Sequence, residues 1–161
     1  MRFSVLALLG LSLVVGCGSG ATSAAPDNLA GAFVTCATDT RAMPYQAGMS
    51  VTSESGVFTI KLLSSLPGPP IKGQNNWMIE VDQTAVGTPL DGLDVTVAPF
   101  MPDHQHPSTR QVVVTPAGAG NYDLNPVYLY MSGLWEVRMT IVSPTLAGGT
   151  TDVATIPICI P

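Results

Sequence analysis

Both histidines of the chain stand one residue apart, at His104 and His106, in the run Phe100-Met101-Pro102-Asp103-His104-Gln105-His106-Pro107. Two imidazoles, the thioether of Met101 and the carboxylate of Asp103 are donors suited to a borderline or soft metal. Neutral imidazole binds copper, zinc and nickel, and a thioether favours Cu(I). Pro102 and Pro107 stiffen the run and keep it from continuing as helix. In an extended segment His104 and His106 project to one face, because side chains repeat every two residues. Met101 joins them only if Pro102 bends the chain back. Asp103 has two open roles, as a ligand or as the group that holds an imidazole N–H. The same residues also have a plain reading, in which the histidines are solvated on a braced turn and Met101 plugs the end of a core.

Catalysis has little to stand on. There is no GxSxG, no HExxH and no paired-carboxylate constellation, and Asp103 next to His104 in sequence is not aimed at it as a triad partner would be. The chain reads as a non-enzyme. With 6 basic against 11 acidic residues, a net charge of −5 and no lysine or arginine cluster, it does not suit nucleic acid.

The N-terminus carries an address. Met1-Arg2 is a short basic start, and Phe3 to Val15 is an apolar run broken only by Ser4, Gly10 and Ser12. A bilayer span needs about 20 residues, so this run has the length of a signal-peptide core instead. It ends in Val14-Val15-Gly16-Cys17, which resembles a bacterial lipobox. The expectation is a lipoprotein signal peptide over residues 1–16 and a lipidated Cys17. A flexible spacer over 17–30 and a folded domain over 31–161 follow. The protein would be tethered to a membrane of the cell envelope by acyl chains, the outer membrane being favoured. The remaining cysteines, Cys36 and Cys159, lie near the two ends of one exported domain. An even pair in an oxidising compartment predicts a disulfide pinning the first strand to the last.

Short strands position these residues. Phe58, Ile60 and Leu62 alternate with Thr59 and Lys61. Trp77, Ile79 and Val81 alternate with Met78, Glu80 and Asp82. Leu93, Val95 and Val97 lead into the histidine run, and Trp135, Val137, Met139 and Ile141 alternate with Glu136, Arg138 and Thr140. Period-two patterning of this kind marks half-buried strands. Further strands are expected at residues 32–34, 111–115, 122–131 (kinked at Pro126) and 154–160, with turn chemistry at Leu66-Pro67-Gly68-Pro69-Pro70 and Pro116-Ala117-Gly118-Ala119-Gly120-Asn121. No helical stripe is sustained. The fold expected is all-β, an immunoglobulin-like antiparallel sandwich of seven or eight strands, with both tryptophans and Met43, Met49, Met78 and Met139 as packing residues.

Three short elements in order, Met101-Pro102-Asp103-His104-Gln105-His106, Gly120-Asn121-Tyr122 and Met131-Ser132-Gly133-Leu134-Trp135, resemble the YtkA-like and FixH-like family of exported or membrane-anchored bacterial domains. The likeness covers about residues 56–142. It implies a β-sandwich, an association with copper handling, and a copper-handling or oxidase-assembly protein as partner. It also brings the strand of Met131 close to the histidine loop, so His104, His106, Met101 and Met131 are the ligand set it suggests for copper. The chain departs from the FixH-like pattern in lacking a run long enough to cross a bilayer as a helix. The reading from another class is a structural module that docks onto an envelope complex without any metal.

Overall fold

Alternating apolar and polar side chains build nearly all of the fold. The structure is a computed structural model that describes residues 35–146 and 148–161; the signal peptide, lipidated Cys17, spacer and strand at residues 32–34 that the sequence led us to expect lie outside them. Ten β-strands and no helix occur among the described residues. One sheet contains β1 (Met49–Thr52), β2 (Phe58–Leu66), β3 (Gly73–Gln83), β7 (Val113–Gly118) and β8 (Asn121–Leu129), in the order β1-β2-β3-β8-β7, with β4 (Thr88–Pro89) paired to β3. The other contains β5 (Asp94–Met101), β6 (His106–Pro107), β9 (Gly133–Ser143) and β10 (Thr150–Ile160), in the order β10-β9-β5-β6. Every pairing is antiparallel. This is the immunoglobulin-like sandwich expected, with ten strands instead of seven or eight. The excess comes from β4 and β6, which are too short to register as alternation.

The two inner faces meet in one core. Phe58, Ile60, Leu62, Trp77, Ile79 and Val81 come from the first sheet, and Trp135, Val137, Met139, Ile141 and Ile156 from the second, all with no exposed surface. Each such side chain contributes about 1.5–3 kcal/mol when it leaves water. Both tryptophans and Met139 therefore pack as expected, and Met49 packs half-buried against the same cluster.

Two expectations about strands are corrected. The strand expected at residues 122–131 with a kink at Pro126 is β8, which continues through Pro126 but stops at Leu129. Pro126 sits where the β3–β8 register shifts between Asn75 and Trp77, so a missing N–H is accommodated at an irregularity of the ladder. Met131 lies just beyond the strand. The strand expected at 111–115 begins later and runs to Gly118, and the turn behind it shrinks to Ala119-Gly120, both with positive φ (52° and 73°) as a tight primed hairpin turn requires.

One end of the sandwich gathers the elements that matter for function. The β5–β6 turn is there, and so is the three-residue β8–β9 connection, Tyr130-Met131-Ser132, which carries the chain from one sheet to the other. The end of β10 joins them through a disulfide, Cys36–Cys159, with Cα atoms 5.2 Å apart. Cys159 is on the last strand as expected, whereas Cys36 lies on a turn closed by the Thr38 N–H to the Thr35 carbonyl (2.9 Å) and not on a strand.

Candidate metal centre

The histidine run is not extended. β5 ends at Met101, the chain turns through Pro102–Gln105, and β6 returns so that His106 pairs directly with Met101. The His104 N–H reaches the Met101 carbonyl at 3.3 Å, and the Gln105 side-chain amide donates to the Pro102 carbonyl. Gln105 itself takes a φ of +55°, in the left-handed region that a non-glycine residue occupies at a cost. It is this reversal, not two-residue alternation, that sets the imidazoles side by side. Their ring centroids are 5.7 Å apart at a 56° angle. Pro102 does bend the chain back, so Met101 and His106 are cross-strand neighbours.

The two histidines differ in their surroundings. His104 is exposed, and His106 is the aromatic neighbour of its ring among the described residues. His106 is half-buried in an aromatic corner. The Tyr130 ring stacks on it at 5.4 Å and 22°, and Trp135 presents an edge at 6.2 Å and 62°. The Tyr130 hydroxyl lies 2.9 Å from His106 Nδ1 and 3.5 Å from Nε2, and the Pro107 carbonyl is 3.3 Å from Nδ1. The hydroxyl thus lies against the face of the stacked imidazole, closer to Nδ1 than to Nε2.

The connection opposite is held from within. Trp135, fully buried, donates its indole N–H to the Met131 carbonyl at 2.9 Å. Met131 packs half-buried against the core. Met101 is almost wholly buried, and its methyl lies 2.7 Å from where a Cβ on Gly133 would stand. Gly133 also has a φ of +121°. The Met131-x-Gly133-x-Trp135 pattern thus has a physical content. Trp135 ties down the backbone of Met131, and Gly133 leaves room for the thioether of Met101.

Asp103 is committed elsewhere. Both its oxygens take the Arg41 guanidinium, at 2.6 and 2.8 Å. Arg41 also grips Asp39, whose Oδ2 is 2.7 Å away. The Arg41 hydrogen bonds hold the Asp103 carboxyl below its usual range, and the same bonds raise the Arg41 pKa. A carboxylate with a bidentate guanidinium has little left to offer a cation. Among the described residues no three His, Cys, Asp or Glu side chains come together as a metal cage. What the turn offers is two imidazoles with methionines at hand. Tyr130 and Arg41 carried no sign of this in sequence, since each meets the turn only through the fold, whereas Gly133 and Trp135 stood with Met131 in the family-like element.

A small antiparallel sandwich with a histidine turn, one buried methionine and one half-buried methionine at one end is the class that fold and site define. The chain belongs to the YtkA-like family, whose model matches residues 52–140. No curated protein matches it. Among solved structures it is similar to a copper-bound variant of FetP from uropathogenic Escherichia coli, at 12% identity and a TM-score of 0.47, over 73% of this chain and 92% of that one. It is also similar to FetP as isolated after recombinant expression in the periplasm of E. coli, at 12% identity and a TM-score of 0.42, over 73% and 97%. Among the described residues no helix is long and apolar enough to cross a membrane.

Proposed function

We propose that the protein binds copper transiently through His104 and His106, with Met101 and Met131 as the thioether donors, and holds it for delivery within the cell envelope. The observation that carries this is the pairing of the imidazoles at 5.7 Å across from Met101. An imidazole nitrogen sits about 2.0 Å from a first-row ion, which puts each ring centroid about 3 Å away and two rings on one ion about 5–6 Å apart. The turn already has that spacing. Two imidazoles and thioethers, with the neighbouring carboxylate withdrawn onto Arg41, suit copper better than calcium or magnesium, which need several oxygens. When bound, the ion would supply only its affinity for soft donors; the residues capture and release it.

The site would be carried on a lipid anchor at Cys17, after removal of residues 1–16, with residues 17–30 as a flexible tether to the domain. The apolar run ending in Val14-Val15-Gly16-Cys17 supports this, as does a cysteine pair that suits export to an oxidising compartment. An outer membrane is the favoured location, and a copper-handling or oxidase-assembly protein the favoured partner. Intact mass of the membrane-bound protein should show a lipid-modified Cys17 and nothing before it. A chain that starts elsewhere and carries no lipid would end this part of the proposal.

The metal reading is tested by titrating the metal-free domain with Cu(I) against a competing chelator. His104→Ala and His106→Ala should each weaken binding at least tenfold. Met101→Leu should weaken Cu(I) more than Cu(II), because the thioether matters most to the softer ion. Wild-type affinity no tighter than that of the double histidine variant would remove copper as the ligand.

A further inference from the structure

We infer that Arg41 is a specificity-determining residue of the histidine turn: by holding the Asp103 carboxylate it keeps an oxygen donor from the ion and biases the turn against zinc and other divalent ions. This rests on the turn being the metal site proposed above, though not on the ion being copper.

The donor set decides which ion a site prefers. Two imidazoles and a carboxylate suit Zn(II), which takes nitrogen and oxygen ligands at about 2.0–2.2 Å and fills a remaining position with water. Two imidazoles and a thioether favour Cu(I). The turn carries both sets, since Asp103 directly precedes His104. Which of them an ion meets depends on where the Asp103 side chain is engaged.

It is engaged by Arg41. The guanidinium donates from Nη1 to Asp103 Oδ1 at 2.6 Å and from Nη2 to Oδ2 at 2.8 Å, and the carboxylate accepts no other side-chain hydrogen bond among the described residues. Arg41 is not a loose surface cation. Its Nε and Nη2 donate to Asp39 at 2.9 and 2.7 Å, and its backbone N–H reaches Asp39 Oδ1 at 3.0 Å. The Asp39 side chain is only 4% exposed. One edge of the guanidinium is thus anchored and another is aimed at the turn, an arrangement that the point charge of a lysine does not reproduce. Asp103, by contrast, is 44% exposed and free to swing once Arg41 lets go. Arg41 is the main cause of its lowered pKa, but the charge of His104 lowers it too, so the ring stands within electrostatic reach of the carboxylate. The guanidinium also places a positive charge beside the turn, which opposes a doubly charged ion more than a singly charged one.

The experiment is competition titration of the metal-free domain with Zn(II) and with Cu(I), in wild type, Arg41→Gln, Asp103→Asn and the double variant. Arg41→Gln should raise Zn(II) affinity about fivefold, the upper range for an exposed ion pair, and leave Cu(I) affinity within about twofold. In the Asp103→Asn background the same substitution should change Zn(II) affinity by less than about twofold, which separates release of the carboxylate from loss of a charge. Carbon-13 NMR of labelled aspartate gives a direct reading. The Asp103 carboxyl carbon should keep its shift when wild type takes up Cu(I) and move when Arg41→Gln takes up Zn(II). No gain for Zn(II) in Arg41→Gln overturns the inference, as does the same gain without the Asp103 carboxylate or a change shared equally by both ions. If Zn(II) behaves as stated and wild type takes up no Cu(I), the control by Arg41 stands and the copper reading is what falls.

Discussion

Gly133 has no side chain at a place where the methyl of Met101 fills the space. A Cβ there would stand 2.7 Å from that methyl, on a backbone whose φ is +121°. Gly133→Ala therefore combines two costs, a backbone conformation that alanine dislikes and a clash with a nearly buried methionine. Together they should destabilise the domain by about 2–4 kcal/mol. In a Met101→Ala background the clash is gone and only the backbone part, about 1 kcal/mol, should remain. Chemical denaturation of the four proteins of this cycle measures the coupling, and additive effects would show that the thioether does not need the gap. The histidine pair and Met101 were legible in the sequence because they are close along the chain. The reason they converge was not, since extended backbone was expected where Gln105 reverses the chain. Tyr130 was not legible as a partner at all, because it reaches His106 only across the gap between two sheets. Met131 was placed by family resemblance, and its carbonyl, held by Trp135, is what the structure adds.

Strands were the most legible elements, because an inner face filled by alternate residues leaves its period in the sequence. β2, β3, β5, β9 and β10 all declare themselves this way. The two-residue strands β4 and β6 could not, whereas β8 showed as a strand kinked at Pro126, where its register against β3 shifts. A cap on one hairpin was equally hidden. Asp152, on β10 and only 4% exposed, receives the Ser55 N–H at 3.0 Å and the Val57 N–H at 3.3 Å from the β1–β2 turn, besides its neighbour Val153 at 2.8 Å. Burial works to raise its pKa, but hydrogen bonds from the Ser53 hydroxyl and these N–H groups outweigh it and bring it down to about 2. A carboxyl with a lowered folded-state pKa stabilises the fold above its unfolded value, about 3.9, and that stability is lost as the pH falls through the folded value. The domain should thus lose about 2 kcal/mol from this group between about pH 4 and pH 2. Asp152→Asn, which cannot ionise, should flatten that part of the pH profile while lowering stability at neutral pH. An unchanged acid limb in the Asn variant would mean other carboxylates govern it.

At the scale of the whole domain, the segment from Cys36 to Met43 is a clasp laid along β10. Cys36 fixes one end through its disulfide to Cys159, and the Met43 N–H to the Pro157 carbonyl (2.9 Å) fixes the other. Between them Arg41 reaches out to both oxygens of Asp103, one residue before His104. The disulfide closes a separation of 123 residues, so its loss should cost about 2–5 kcal/mol and lower the Tm on the order of 10 °C. The geometry gives it a second, local effect. With Cys36 free, Arg41 is anchored from one side only, and its exposed ion pair with Asp103 is too weak to hold a loose segment in place. Hydrogen exchange at the amides of Asp103, His104 and Gln105 should accelerate on reduction under native conditions, while exchange in the paired centre of β2 and β3 stays slow. Arg41→Ala should reproduce the faster exchange of the turn with the disulfide intact. If reduction speeds exchange near Cys159 but leaves these three amides unchanged, the histidine turn is held by its own hairpin and the clasp serves stability alone.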